Sequence, residues 1–148
     1  MDIAPHTGNP KHYHTLFDET FEVVDGELFV GVGKTTKTMK VGDKITVPIG
    51  AVHFFKNRTD RPCRIKVTLE PGNTDFEDAM NIYYGLKRDG LVRKSGTPKN
   101  LADLSIFLKL NDSNMKGFGR VADFMFKCVA NIAIKDGRLE LLRNLYTL

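Results

Sequence analysis

Three imidazoles and a nearby group of carboxylates lie in the first half of this 148-residue chain. His12 and His14 flank Tyr13 in KHYHTLFDETFEVVDGE (Lys11 to Glu27), where Asp18, Glu19 and Glu22 follow, and His53 lies in GDKITVPIGAVHFFKN (Gly42 to Asn57). On an extended strand alternate side chains share a face, so His12 and His14 point the same way with Cα atoms about 6.6 Å apart, close enough to share one ion. Imidazole nitrogens mixed with a carboxylate oxygen suit a divalent transition metal such as Fe, Mn, Ni, Co or Zn, and suit Ca or Mg poorly. Four such ligands leave positions on a five- or six-coordinate ion that water or a substrate would fill. A single histidine is more often a surface or satisfied core residue, but three of the four histidines here belong to this set; His6 reads as an exposed N-terminal residue.

The same two stretches resemble the cupin superfamily, in particular its single-domain, conserved-barrel members. The second cupin motif, G-x5-P-x-G-x2-H-x3-N, is met by Gly42, Pro48, Gly50, His53 and Asn57. Five fixed positions coincide by chance at a given register with a probability on the order of 10⁻⁷. The first motif, H-x-H-x3,4-E-x6-G, is met by His12, His14, Glu19 and Gly26, while its leading glycine is absent at the family's spacing and Gly8 lies nearer. The resemblance implies that His12, His14, Glu19 and His53 hold the metal and that Asn57 and the glycines form turns, with Gly50 at a positive φ. Glu19 meets the spacing on both sides and shares its strand face with Phe21 and Val23, whereas Glu22 points outward on that register.

The resemblance further implies a mainly β fold, an antiparallel, jelly-roll-like barrel (double-stranded β-helix) of about eight strands over residues 1–71, followed by C-terminal α-helices over 72–148 packed on the barrel or a partner. The superfamily includes enzymes, sugar-binding modules and storage proteins, so the fold does not fix the activity. The expectation is a divalent-metal enzyme (oxygenase, isomerase or lyase) acting on a small organic acid, sugar or aromatic. The alternative is a non-catalytic small-molecule-binding or sensing domain, and a third reading makes the ion a structural staple. No nucleophile or acid–base pair beyond the metal set marks a catalytic residue, and no organic cofactor is implied.

The surrounding pattern predicts the elements that must position these side chains. Residues 1–10 hold at most a short edge strand, fewer residues than such barrels usually place before their first motif, so three readings stand: the barrel is small, a partner chain lends a strand to the exposed edge, or the sequence lacks its true start. Alternation from Glu19 leads to a tight hairpin at Asp25-Gly26 and a return strand Glu27 to Val32, then a loop from Gly33 to Lys37. Ile45 and Val47 pair on one face, Pro48-Ile49-Gly50 breaks the strand, His53 and Phe55 share a face, and Arg64 to Leu69 forms the last strand. Phe21, Met39, Val47 and Phe55 are the expected cavity walls. Past Pro71-Gly72 the period becomes helical. Helices are expected from Thr74 or Asp75 to about Lys87 with Phe76, Ala79, Met80 and Tyr83 as a stripe, and from a Thr97-Pro98 start with Leu101, Leu104 and Leu108 on one face. A third runs from Phe118 to Ile134, with Val121, Phe124, Met125, Cys128, Val129 and Ile132 at helical spacing, and a last from Arg138 to Tyr146.

Composition narrows the partners. The formal charge of +4 comes from 22 Lys and Arg scattered against 18 Asp and Glu, so nucleic acid is not expected. Arg120, Asp123 and Lys127 interrupt the most apolar segment, which argues against a membrane span. Cys63 and Cys128 form no C-x-x-C unit and are expected to be free thiols; with no signal-peptide pattern at the N-terminus, a cytoplasmic location is the default. The helical stripes carry more apolar surface than a small barrel needs, so a homodimer is expected, and a small molecule is the expected ligand.

Overall fold

The computed structural model describes residues 1–117 and 119–147. It divides into two compact units, Met1–Asn73 and Thr74–Leu148. In the first, β1 (Asp2–Ile3), β2 (Asp18–Asp25), β3 (Glu27–Val32), β4 (Thr35–Lys40), β5 (Lys44–Val47), β6 (His53–Lys56) and β7 (Cys63–Glu70) form two antiparallel sheets. One sheet has the order β1-β7-β2-β5 and the other β4-β3-β6.

The expected hairpin at Asp25-Gly26 does not form: β2 pairs with β5 and β7, while β3 pairs with β4 and β6. Gly26, at φ +81°, is the single residue between the two strands, and the β2–β7 register shifts between Val23 and Asp25, so the chain turns a corner and enters the other sheet. A Cβ at Gly26 would also stand 3.1 Å from the Pro62 carbonyl oxygen. The expected loop from Gly33 to Lys37 is mostly β4, an edge strand whose residues are exposed except Met39. Its lysines and threonines hide the strand in the sequence and blunt the edge against further pairing.

Inward-facing residues of the two sheets meet in one core. Phe21, Val23, Val47 and Ile65 from the first sheet pack with Leu28, Val30 and Met39 from the second, each at most 2% exposed. At roughly 1.5–3 kcal/mol for each large apolar side chain removed from water, this cluster is the main source of stability in the unit. The N-terminal segment ties the sheets together. Its β1 joins the first, whereas Gly8 and His12 form isolated bridges to Lys56 and His53 of the second. Gly8 is the nearer glycine noted in the first motif, and its lack of a side chain matters, because a Cβ there would lie 2.2 Å from the Phe55 carbonyl oxygen. Asn57 locks this arrangement: its amide nitrogen donates to the carbonyls of Ile3 and Arg61, and its Oδ1 accepts from the Thr59 amide.

The second unit holds α1 (Thr74–Arg88), α2 (Leu101–Leu110), α3 (Gly119–Lys135) and α4 (Arg138–Tyr146). Phe118, expected to open the third helix, lies outside the described residues. The second helix is capped by Asn100, whose side chain accepts from the Ala102 and Asp103 amides, and Pro98 instead bridges to Val92. Leu101 is 57% exposed, and the buried residues of α2 are Asp103, Ser105, Ile106 and Leu110. Ala79, Ile82 and Leu86 form the fully buried side of α1, with Phe76, Met80 and Tyr83 only half-buried. On α3 most of the expected stripe faces away from the core: Ala130 and Ala133 are buried instead, Val129 is half-buried, and Val121, Phe124, Met125, Cys128 and Ile132 are exposed. Among the described residues no helix is long and apolar enough to cross a membrane.

Candidate metal centre

His12, His14, Glu19 and His53 converge between the sheets of the first unit. Each offers a ligand atom within 4.8 Å of the others, and all four residues are buried. Glu19 sits on β2 between Val47 and Leu69, so its side chain points inward with Phe21, while Glu22 faces out and meets Lys44 at 3.2 Å. His53 opens β6. The turn before it is held by the Asp18 carboxylate, which accepts from the Ile49 amide at 2.7 Å, and by the His14 carbonyl, which accepts from Gly50 at 2.8 Å. Gly50 has the positive φ, +78°, that this turn requires. His12 and His14 do not lie on a regular strand as expected; their segment is extended and is held by the His12–His53 bridge.

Backbone carbonyls fix the imidazoles. Nδ1 of His12 lies 2.9 Å from the Pro10 oxygen, and Nδ1 of His53 lies 3.0 Å from the Ala51 oxygen. With Nδ1–H donating, Nε2 carries the lone pair, which is the form a metal ligand needs. Glu19 Oε2 is 3.0 Å from His53 Nε2 and 3.3 Å from His14 Nε2. Ligand atoms about 2.1 Å from one ion and at right angles to each other lie about 3.0 Å apart, so these separations fit adjacent positions around a transition metal.

The electrostatics agree with that donor set. Burial, reinforced by His53 and His14, lowers the His12 pKa from 6.5 to about 4, favouring neutral imidazole. Burial alone would raise Glu19, but its close contacts with His14 and His53 outweigh it and lower the carboxyl to about 2, so the site keeps an anionic oxygen. Phe17 stacks on His14 at 4.7 Å between ring centroids, and Phe21 lies 6.0 Å from His53. Phe17 is a wall residue the sequence reading missed; its position two residues before Glu19, in phase with it, was the available signal. The Pro10 and Ala51 carbonyls were also missed, because a backbone group leaves no mark in residue type.

Fold and motif residues agree with a match of residues 1–74 to the family model described as a cupin domain, and the chain belongs to that family. A probable germin-like protein, subfamily 2 member 5, from Arabidopsis thaliana is 29% identical over 100 residues, covering 64% of this chain and 47% of that protein. Germin-like protein subfamily 2 member 2 from the same plant is 40% identical over 70 residues, covering 44% of this chain and 32% of its own. The chain thus spans less than half the length of these curated relatives. Among solved structures, oxalate oxidase is 28% identical at a TM-score of 0.43, with 46% of this chain and 38% of that one covered.

Proposed function

We propose that His12, His14, Glu19 and His53 bind a divalent transition metal and that the protein is a metal-dependent enzyme acting on a small-molecule ligand. The convergence of four buried ligand atoms from separate segments, with only one of them anionic, carries this reading. When bound, such an ion supplies Lewis acidity or an oxygen-activating centre. The chain's own part is to present a neutral His12 beside His14 and His53, keep Glu19 ionised and shield the site with Phe17 and Phe21. A non-catalytic binding role has one observation in its favour: the only other fully buried polar side chain in the unit, Asn57, spends its amide on the backbone.

Elemental analysis of purified protein, followed by assay of small acids, sugars and aromatics with Fe, Mn, Ni and Zn, with and without oxygen, tests the proposal. Stoichiometric metal and metal-dependent conversion of one compound are expected. Tight binding of a compound that no metal converts would favour the binding role, and a metal-free protein that refuses reloading would remove the centre.

We further propose that the chain forms a homodimer through α3. Val121, Phe124, Met125 and Ile132 are 70%, 67%, 62% and 61% exposed along one side of that helix, a concentration of apolar surface that association would remove from water. Light scattering is expected to give twice the chain mass at micromolar concentration, shifting to monomer in Phe124→Glu. A wild-type monomer at that concentration would end the proposal.

A further inference from the structure

The turn that leads into His53 is held by two main-chain bonds and one bond from a side chain. The Ala51 amide donates to the Pro48 carbonyl at 3.0 Å, and the Gly50 amide to the His14 carbonyl at 2.8 Å. Asp18 accepts from the Ile49 amide at 2.7 Å. Its place on β2 is unusual. Glu19 points into the cluster, and alternation sends the half-buried Asp18 to the opposite face of the strand, so it is not one of the four converging residues. It also stands opposite Glu70 in the β2–β7 pairing. Facing carboxylates repel and aspartate is a poor strand residue, so the position costs strand stability. What Asp18 gains there is a short, charge-assisted hydrogen bond.

That bond reaches His53 through the turn. Ala51, two residues beyond Ile49, presents the carbonyl that lies 3.0 Å from His53 Nδ1. This contact orients the ring and keeps its proton on Nδ1, which leaves Nε2 for an ion. A carboxylate on the outer face of β2 is thus linked, through Ile49 and Ala51, to a ligand on the inner side.

We infer that Asp18 is a positioning residue for the metal centre: by clamping the Ile49 amide it holds the Ala51 carbonyl against His53, and so raises metal affinity without touching the ion. The inference rests on the metal-centre reading and adds to it a residue that neither motif marks.

The test uses the full chain and zinc(II). Affinity is measured by competition with a chelator, and exchange of the imidazole Nδ1 protons with water by NMR of the zinc-loaded protein. Asp18→Ala is expected to bind zinc about tenfold more weakly, the lower end of the loss that follows removal of an orienting partner, and to exchange the His53 Nδ1 proton at least about fivefold faster. His12 is the internal reference, because the Pro10 carbonyl holds its Nδ1 from a different segment, and its proton is expected to keep the wild-type rate. Asp18→Asn retains an acceptor oxygen and is expected to bring zinc affinity back to within about threefold of wild type. Faster exchange of both protons alike would mean general loosening and would overturn the inference while leaving the metal centre intact. Zinc affinity in Asp18→Ala within about twofold of wild type would do the same. Wild-type protein that binds no zinc would remove the centre, and the inference with it. If Asp18→Ala does not fold, Asp18→Val, which suits a strand and equally lacks the acceptor, decides in its place.

Discussion

His53→Ala is expected to weaken binding of a divalent transition metal by at least about 100-fold, since losing a group that merely orients a ligand already costs 10–100-fold and this change deletes the ligand. The unit should stay folded. His53 is fully buried and contacts Glu19 and the Ala51 carbonyl, so its removal opens a cavity and strands polar groups at a cost of about 2–3 kcal/mol. Of the apolar cluster, Phe21 lies 6.0 Å from the His53 ring, while Leu28, Val30, Met39 and Ile65 stay packed on one another. Metal retained after dialysis against a chelator, read by elemental analysis beside a thermal melt, separates the two effects. His6→Ala is the control, because His6 is exposed and pairs with the exposed Asp60, outside the cluster. Native affinity in His53→Ala would exclude that residue from the ligand set.

Arg138→Met should destabilise the helical unit by about 3–5 kcal/mol, the cost of leaving a buried carboxylate without its partner. Asp103 is 2% exposed and accepts two hydrogen bonds from Arg138, Nε to Oδ1 at 2.7 Å and Nη2 to Oδ2 at 2.9 Å. The reverse change should cost less. In Asp103→Asn the orphaned charge belongs to Arg138, whose side chain is 34% exposed and can turn to water, so about 1–2 kcal/mol is expected. Urea unfolding of both single variants and the double variant gives the coupling. Equal costs for the two single changes would contradict an asymmetry founded on burial.

The sequence made the ligand set readable because motif spacing and strand alternation agreed on Glu19, and alternation alone sent Glu22 outward. It misled at Asp25-Gly26, where a dipeptide typical of hairpins serves as a corner between sheets. Which strands pair is decided by partners distant in sequence, here β5 and β7 for β2, and local turn chemistry does not report it. The β4 strand escaped notice because an edge strand with one buried residue, Met39, has almost no apolar alternation. Apolar spacing indicated the helices and found part of the buried side of α1 in Ala79, but chose the wrong side of α3. On α3 the small residues Ala130 and Ala133 face the interior, where close helix approach favours them, and the bulkier Phe124 and Met125 remain outside.

The His12–His53 bridge bears on how an ion would come and go. His12 donates its amide to the His53 carbonyl at 3.0 Å, and His53 donates back at 2.8 Å, so two candidate ligands are fastened to each other through the main chain. Two of the three imidazoles are then held in place by hydrogen bonds that involve no ion. An ion entering such a site need not order the polypeptide around it, in contrast to small zinc domains that are unfolded when stripped. Exchange becomes a sequence of side-chain dissociations within a standing framework, and the emptied protein should accept a different metal without passing through an unfolded state.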